Sequence, residues 1–105
     1  MKSYTDIEQS RKLAEILPIE SADMFYWRGV VLRRGNYKAM DTEFDIPCWS
    51  LPALLELIPK NYLIEANKKT TRTLYHITAI SGEVTHYHQD LVDAAVEMLL
   101  KLKSR

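Results

Sequence analysis

His86 and His88 stand two residues apart in a stretch, 83–88, that reads as a strand, so both imidazoles fall on one face at the spacing two metal ligands require. A site needs a third donor, and strand register decides whether one is near. Ser81-Gly82 is a hairpin signal between 72–80 and 83–88. With those two residues as the loop, Ile80 pairs with Glu83, and His76 lies opposite Tyr87 on the other face from His86 and His88. A three-residue loop, 81–83, puts His76 directly across from His88 instead. The nearby carboxylates Glu83 and Asp90 are equally explained by a turn and a helix cap. The expectation is therefore amphipathic strand histidines and no bound metal.

Cys48, the one cysteine, sits between Pro47 and Trp49 just ahead of a helix, where a helix dipole can lower a thiol pKa. No cysteine-protease signature surrounds it, and a free cysteine beside tryptophan is expected to pack in a core. Asp41, Glu43 and Asp45 alternate but lack the glycine and terminal glutamate of a calcium loop, so they read as solvated loop. Three basic groups, Arg33-Arg34 with Lys38, Lys68-Lys69 with Arg72, and Lys101 with Lys103 and Arg105, would make a phosphate-binding patch if they converged. Tyr26, Trp27 and Tyr37 offer stacking faces for unpaired bases. Against this, fourteen basic and fourteen acidic residues cancel, and a pI near 6.8 lacks the global signature of a nucleic-acid binder. There is no phosphate loop, dinucleotide fingerprint or nucleophile elbow. We expect no catalytic residue and no cofactor.

The elements that would position these groups fit one α+β domain of 105 residues. Thr5 and Glu8 have capping-box spacing, and Ile7, Leu13, Ala14, Ile16 and Leu17 give a helix over 5–17 that Pro18 ends. Residues 24–32 are rich in aromatic and β-branched types and suit one extended segment; Arg33-Arg-Gly-Asn36 would turn it into a short strand near 37–40. Ser50 as N-cap, Pro52 in the first turn and Pro59 as stop delimit a helix over 51–58 with Leu51, Leu54, Leu55 and Ile58 on its apolar face. Strands over 62–66, 72–80 and 83–88 form a small antiparallel meander leading into the C-terminal helix.

That helix, 90–103, confines its polar positions almost entirely to Asp90, Asp93, Glu97 and Lys101, within roughly 80° of arc, while nine apolar residues spread over about 240°. Leu91, Ala95, Val96, Leu99 and Leu102 are expected to be buried, with Asp93 and Glu97 exposed. An arc that wide calls for cover on several sides, and one small sheet supplies too little, so a homodimer is expected. The opening MKSYTDIEQS lacks the apolar run of a signal peptide, and no apolar stretch approaches the ~20 residues that span a bilayer. The protein is read as cytoplasmic, with no membrane contact.

Four segments carry a resemblance in combination: Gln9-Ser-Arg-Lys-Leu-Ala-Glu15; Glu20-Ser-Ala-Asp-Met24; Ile46-Pro-Cys-Trp-Ser-Leu-Pro-Ala-Leu-Leu55 with Leu57-Ile-Pro59; and Val92-Asp-Ala-Ala-Val-Glu-Met98 followed by Leu99 and Leu100. Together they resemble a family of small uncharacterised proteins from phage-like and other mobile regions of anaerobic gut bacteria. The resemblance implies a genomic setting and a fold neighbourhood, and no catalytic residue. Lys101 stands where that family leads one to expect an aromatic residue. The functional expectation is a binding module that self-associates or takes a protein partner, with a nucleic-acid accessory role as the alternative.

Overall fold

The computed structural model describes residues 2–33, 46–69 and 71–104. In chain order its elements are α1 (Ile7–Ala14), a single 3-10 turn (Ile19–Ser21), β1 (Met24–Trp27), β2 (Val30–Arg33), β3 (Ile46–Cys48), α2 (Leu51–Leu57), β4 (Leu63–Lys68), β5 (Thr73–Thr78) and α3 (Leu91–Lys103). The α+β class read from the sequence is the class observed. The described strands form two antiparallel sheets, β2-β1-β3 and β4-β5. No helix among the described residues is long and apolar enough to cross a membrane.

The core lies between α3 and the elements around it. Leu13, Trp49, Leu54, Ile77, Val92, Ala94, Ala95, Met98 and Leu99 are fully enclosed. α3 packs against α2, β5 and α1, so its wide apolar arc is covered within one chain. That removes the reason for expecting a dimer through this helix: the α1 and α2 layers supply the cover that a lone sheet does not. Ala95, Val96 and Leu99 are buried as expected, whereas Leu91 and Leu102 are half-buried.

Local departures have local causes. The helix N-cap is Asp6: its side chain accepts from the Gln9 amide at 2.8 Å while the Gln9 side chain accepts from the Asp6 amide at 3.1 Å, closing a capping box one residue later than Thr5 and Glu8. Thr5 is drawn inward instead. Its amide donates to Trp49 O at 3.0 Å, its hydroxyl lies 2.7 Å from Ser10 Oγ, and the Trp49 amide donates to that hydroxyl at 3.2 Å. α2 follows its sequence signals, with Ser50 Oγ accepting from the Ala53 amide at 3.3 Å. Asp23 braces that cap, accepting from the Ser50 amide at 2.9 Å and from its hydroxyl.

The segment 24–32 is a hairpin and not one extended run. Arg28 (φ 51°) and Gly29 (φ 78°) both adopt positive φ, the requirement of a two-residue type I′ turn, and Trp27 pairs with Val30 across it. The turn expected at 33–36 and the strand at 37–40 lie largely outside the described residues. The expected third meander strand, 83–88, is reduced to two bridges on β5, Tyr75 with His88 and Thr78 with Val84. Three steps along β5 oppose four along this segment, so a bulge intervenes. Thr85 fills the gap in the ladder: its amide donates to Ile77 O at 3.0 Å, and its hydroxyl accepts from the Ile77 amide at 2.9 Å.

Candidate functional site

Two surfaces stand out: the polar stripe of α3 with its histidines, which the sequence offered, and the outer edge of β4, which it did not. On the stripe, the first two polar residues grip the N-terminal segment and the last two grip residues 84–88. Asp90 accepts from the Lys2 amide at 2.8 Å, and Asp93 accepts from Lys2 Nζ at 2.9 Å and Gln9 Nε2 at 2.7 Å. Glu97 accepts from the His86 amide at 3.0 Å, and its carboxylate lies 3.0 Å from His86 Nδ1 and 2.7 Å from His88 Nε2. Lys101 Nζ reaches Glu97 at 3.1 Å and donates to Val84 O at 2.7 Å.

His86 and His88 do share a face, and the residue they share it with is Glu97. His76 does not join them. The Tyr75–His88 bridge sets the register that places His76 against Tyr87, their rings stacked at 4.4 Å and 21°. Partial burial works against the Glu97 charge, but the His88 ring, the His86 amide, Lys101 and the His86 ring outweigh it and hold the carboxyl down at about 2. An ammonium already neutralises this carboxylate, so the cluster acts as a clasp fixing 84–88 to α3. Among the described residues no group of three His, Cys, Asp or Glu is arranged to hold a metal ion.

Asp93 and Glu97 are therefore not the solvent-facing residues expected of them; their side chains are only 26% and 19% exposed. The signal was present in the chain. A helix with room for little water but with charges every three or four residues must find those charges protein partners.

Cys48 is fully buried in β3 beside Thr5, and its thiol donates to Thr5 O at 3.4 Å. Burial pushes its pKa up against the hydrogen bonds that favour the thiolate, which is the opposite of nucleophile activation. Tyr26 donates to the same carbonyl at 2.6 Å, and burial carries its hydroxyl up to about 12. Trp49 is enclosed, its indole donating to Ser21 Oγ at 3.0 Å. These residues hold the start of α1 onto β3. Of the basic groups, Lys101 is committed to the clasp, while Lys68, Lys69 and Arg72 gather at the far end of the β4–β5 hairpin. Asp41, Glu43, Asp45, Arg34, Lys38 and Arg105 lie outside the described residues.

The second surface is β4. All six of its residues are exposed, including Leu63 at 62% and Ile64 at 40%, and among the described residues it pairs with β5 alone. Ile64 pairs with Ile77, which is wholly buried, so Ile64 belongs to the core-facing side of the sheet yet overhangs the core. The Lys69 amide donates to Arg72 O at 2.7 Å. By the alternation of an antiparallel ladder, Asn67, Glu65 and Leu63 then turn their backbone groups toward β5. Ile64, Ala66 and Lys68 turn theirs outward. No family model, no curated protein and no solved structure matches this chain.

Proposed function

We propose that the protein is an interaction module that self-associates by adding a strand to the outer edge of β4. The observation that carries this reading is a six-residue strand exposed along its whole length, with a row of outward amide and carbonyl groups. Unpaired edges of this kind are templates for another strand, and backbone hydrogen bonds supply the affinity. The other exposed edge, β2, is four residues long against six for β4, which makes it the weaker candidate. A nucleic-acid role draws less support, since Lys101 is engaged by Glu97 and the Val84 carbonyl.

Light scattering across a concentration series tests the proposal. A dimer mass is expected at micromolar protein. Ala66→Pro removes an outward N–H without touching the β4–β5 ladder, as edge prolines do, and should return a monomer with unchanged circular dichroism. A wild-type monomer mass at every concentration overturns the proposal.

A further inference from the structure

We infer that the second copy docks antiparallel in one register, with Asn67 of the two chains facing each other on the two-fold axis and Glu65 of each chain opposite Lys69 of the other. This inference rests on the strand-addition reading and goes on to name the residues that select the partner. A two-fold axis perpendicular to an antiparallel pair must pass through a position where a residue faces its own copy, because a half-step displacement would exchange hydrogen-bonded with non-hydrogen-bonded pairs. Few centres are then possible along β4. Centring on Glu65 or on Lys68 sets like charges directly against each other, which is destabilising. Centring on Leu63 or on Ile64 leaves Asn67, Lys68 and Lys69 with no β4 residue opposite them and makes no ion pair. Centring on Ala66 opposes Glu65 to Asn67 and Leu63 to Lys69, with no ion pair.

Centring on Asn67 opposes Glu65 to Lys69 twice, once on each side of the axis, and lets the two Asn67 amides hydrogen-bond. It also brings Ala66 opposite Lys68, two residues whose backbone groups both turn outward and so exchange their hydrogen bonds. Glu65, Asn67 and Lys69 occupy non-hydrogen-bonded positions across the new seam, where facing side chains approach most closely. All three are exposed, and they share the sheet face of Leu63, opposite the face that carries buried Ile77. Pairing there leaves the core untouched. Glu65 lies 3.4 Å from His76 Nε2 within its own chain, with its side chain 61% exposed and free to turn to a lysine across the seam.

The test is charge exchange combined with cross-linking. Glu65→Lys and Lys69→Glu should each weaken the dimer about tenfold or more, and the double variant should recover to within about threefold of wild type, because it restores both opposite-charge pairs. Asn67→Cys should form a disulfide dimer under mild oxidation, since facing residues at a non-hydrogen-bonded position have a Cα separation of about 4.5 Å, inside disulfide range. Buried Cys48 should not cross-link in the parent protein, and adding Ala66→Pro to Asn67→Cys should abolish the cross-link. A dimer that Ala66→Pro dissolves but that ignores charge exchange and does not cross-link at residue 67 overturns the register and leaves strand addition standing. A monomeric wild type overturns both.

Discussion

α3 and β4 are the two stretches of this chain whose side chains most need explaining, and they solve opposite problems. α3 carries more apolar surface than any single neighbour could cover, and α1, α2 and β5 divide the task among them until six of its thirteen residues are buried. β4 buries none of its six, although Leu63 and Ile64 are as apolar as anything on the helix. Composition does not separate these regions; position does. β5 lies under α3, and β4 is one strand farther out, so the same sheet face passes from the enclosed Ile77 to the overhanging Ile64 within a single ladder step. Apolar content therefore predicts burial only where another layer is near enough to supply it.

The sharpest way to break this contrast is to truncate one residue on each side of it. Leu99→Ala removes a fully buried side chain at the centre of the core and should cost about 2 to 5 kcal/mol in urea unfolding. Were Leu99→Ala to cost no more than a surface change, the enclosure of α3 would be wrong.

An intermediate effect is expected where the helix holds the 84–88 segment. Glu97→Gln keeps the shape of the side chain but removes the charge that four donors serve, and should cost about 1 to 3 kcal/mol at neutral pH. The pH dependence has a definite sign. The Glu97 carboxyl lies at about 2 when folded, below its ordinary 4.5, so the folded state binds the proton less tightly than the unfolded state does. Its contribution is complete above about 4.5 and is lost as pH falls toward about 2. Stability curves of wild type and Glu97→Gln should converge over that window. A gap that stays constant down to pH 2 would show that the clasp is not electrostatic.

The smallest effect belongs to the exposed strand. Leu63→Ser should change the unfolding free energy of dilute protein by no more than about 0.5 kcal/mol, as surface substitutions do. If it costs as much as Leu99→Ala, the strand is covered in solution, and hydrogen exchange at Ile64 and Ala66 would show by what.

Where local chemistry decides, the sequence was readable. Ser50, Pro52 and Pro59 mark the ends of α2 to within a residue, and the 3.6-residue period of α3 marks its buried face. Two elements were harder for stated reasons. The β1–β2 turn uses Arg28 at positive φ, a conformation few sequences advertise through arginine, and the Arg-Arg-Gly-Asn run farther on carries stronger turn signals. The cap of α1 passes from Thr5 to Asp6 because Thr5 is needed against Trp49, a residue forty-four positions away that no local pattern reveals. The same holds for the histidine cluster. Its shared face follows from alternation, but Glu97 as its partner depends on how α3 lies across the bridged segment, and that is a tertiary fact. Charges on α3 spaced for a water-facing stripe served equally well as anchors.

The stripe has a consequence for how the chain is made. Lys2, Gln9, Val84, His86 and His88 are all fastened by residues of α3, which emerges from the ribosome only after every strand it covers. Until then the face of β5 that carries Ile77 has no lid, and Lys2, Gln9 and the two histidines lack their anchors on α3. The nascent chain thus exposes both the inner face of the β4–β5 hairpin and its open edge for the seconds that synthesis takes at about 5 to 20 residues per second. Arrival of one helix covers Ile77 and leaves the β4 edge open, so the edge to which we assign a second chain is exposed from synthesis onward.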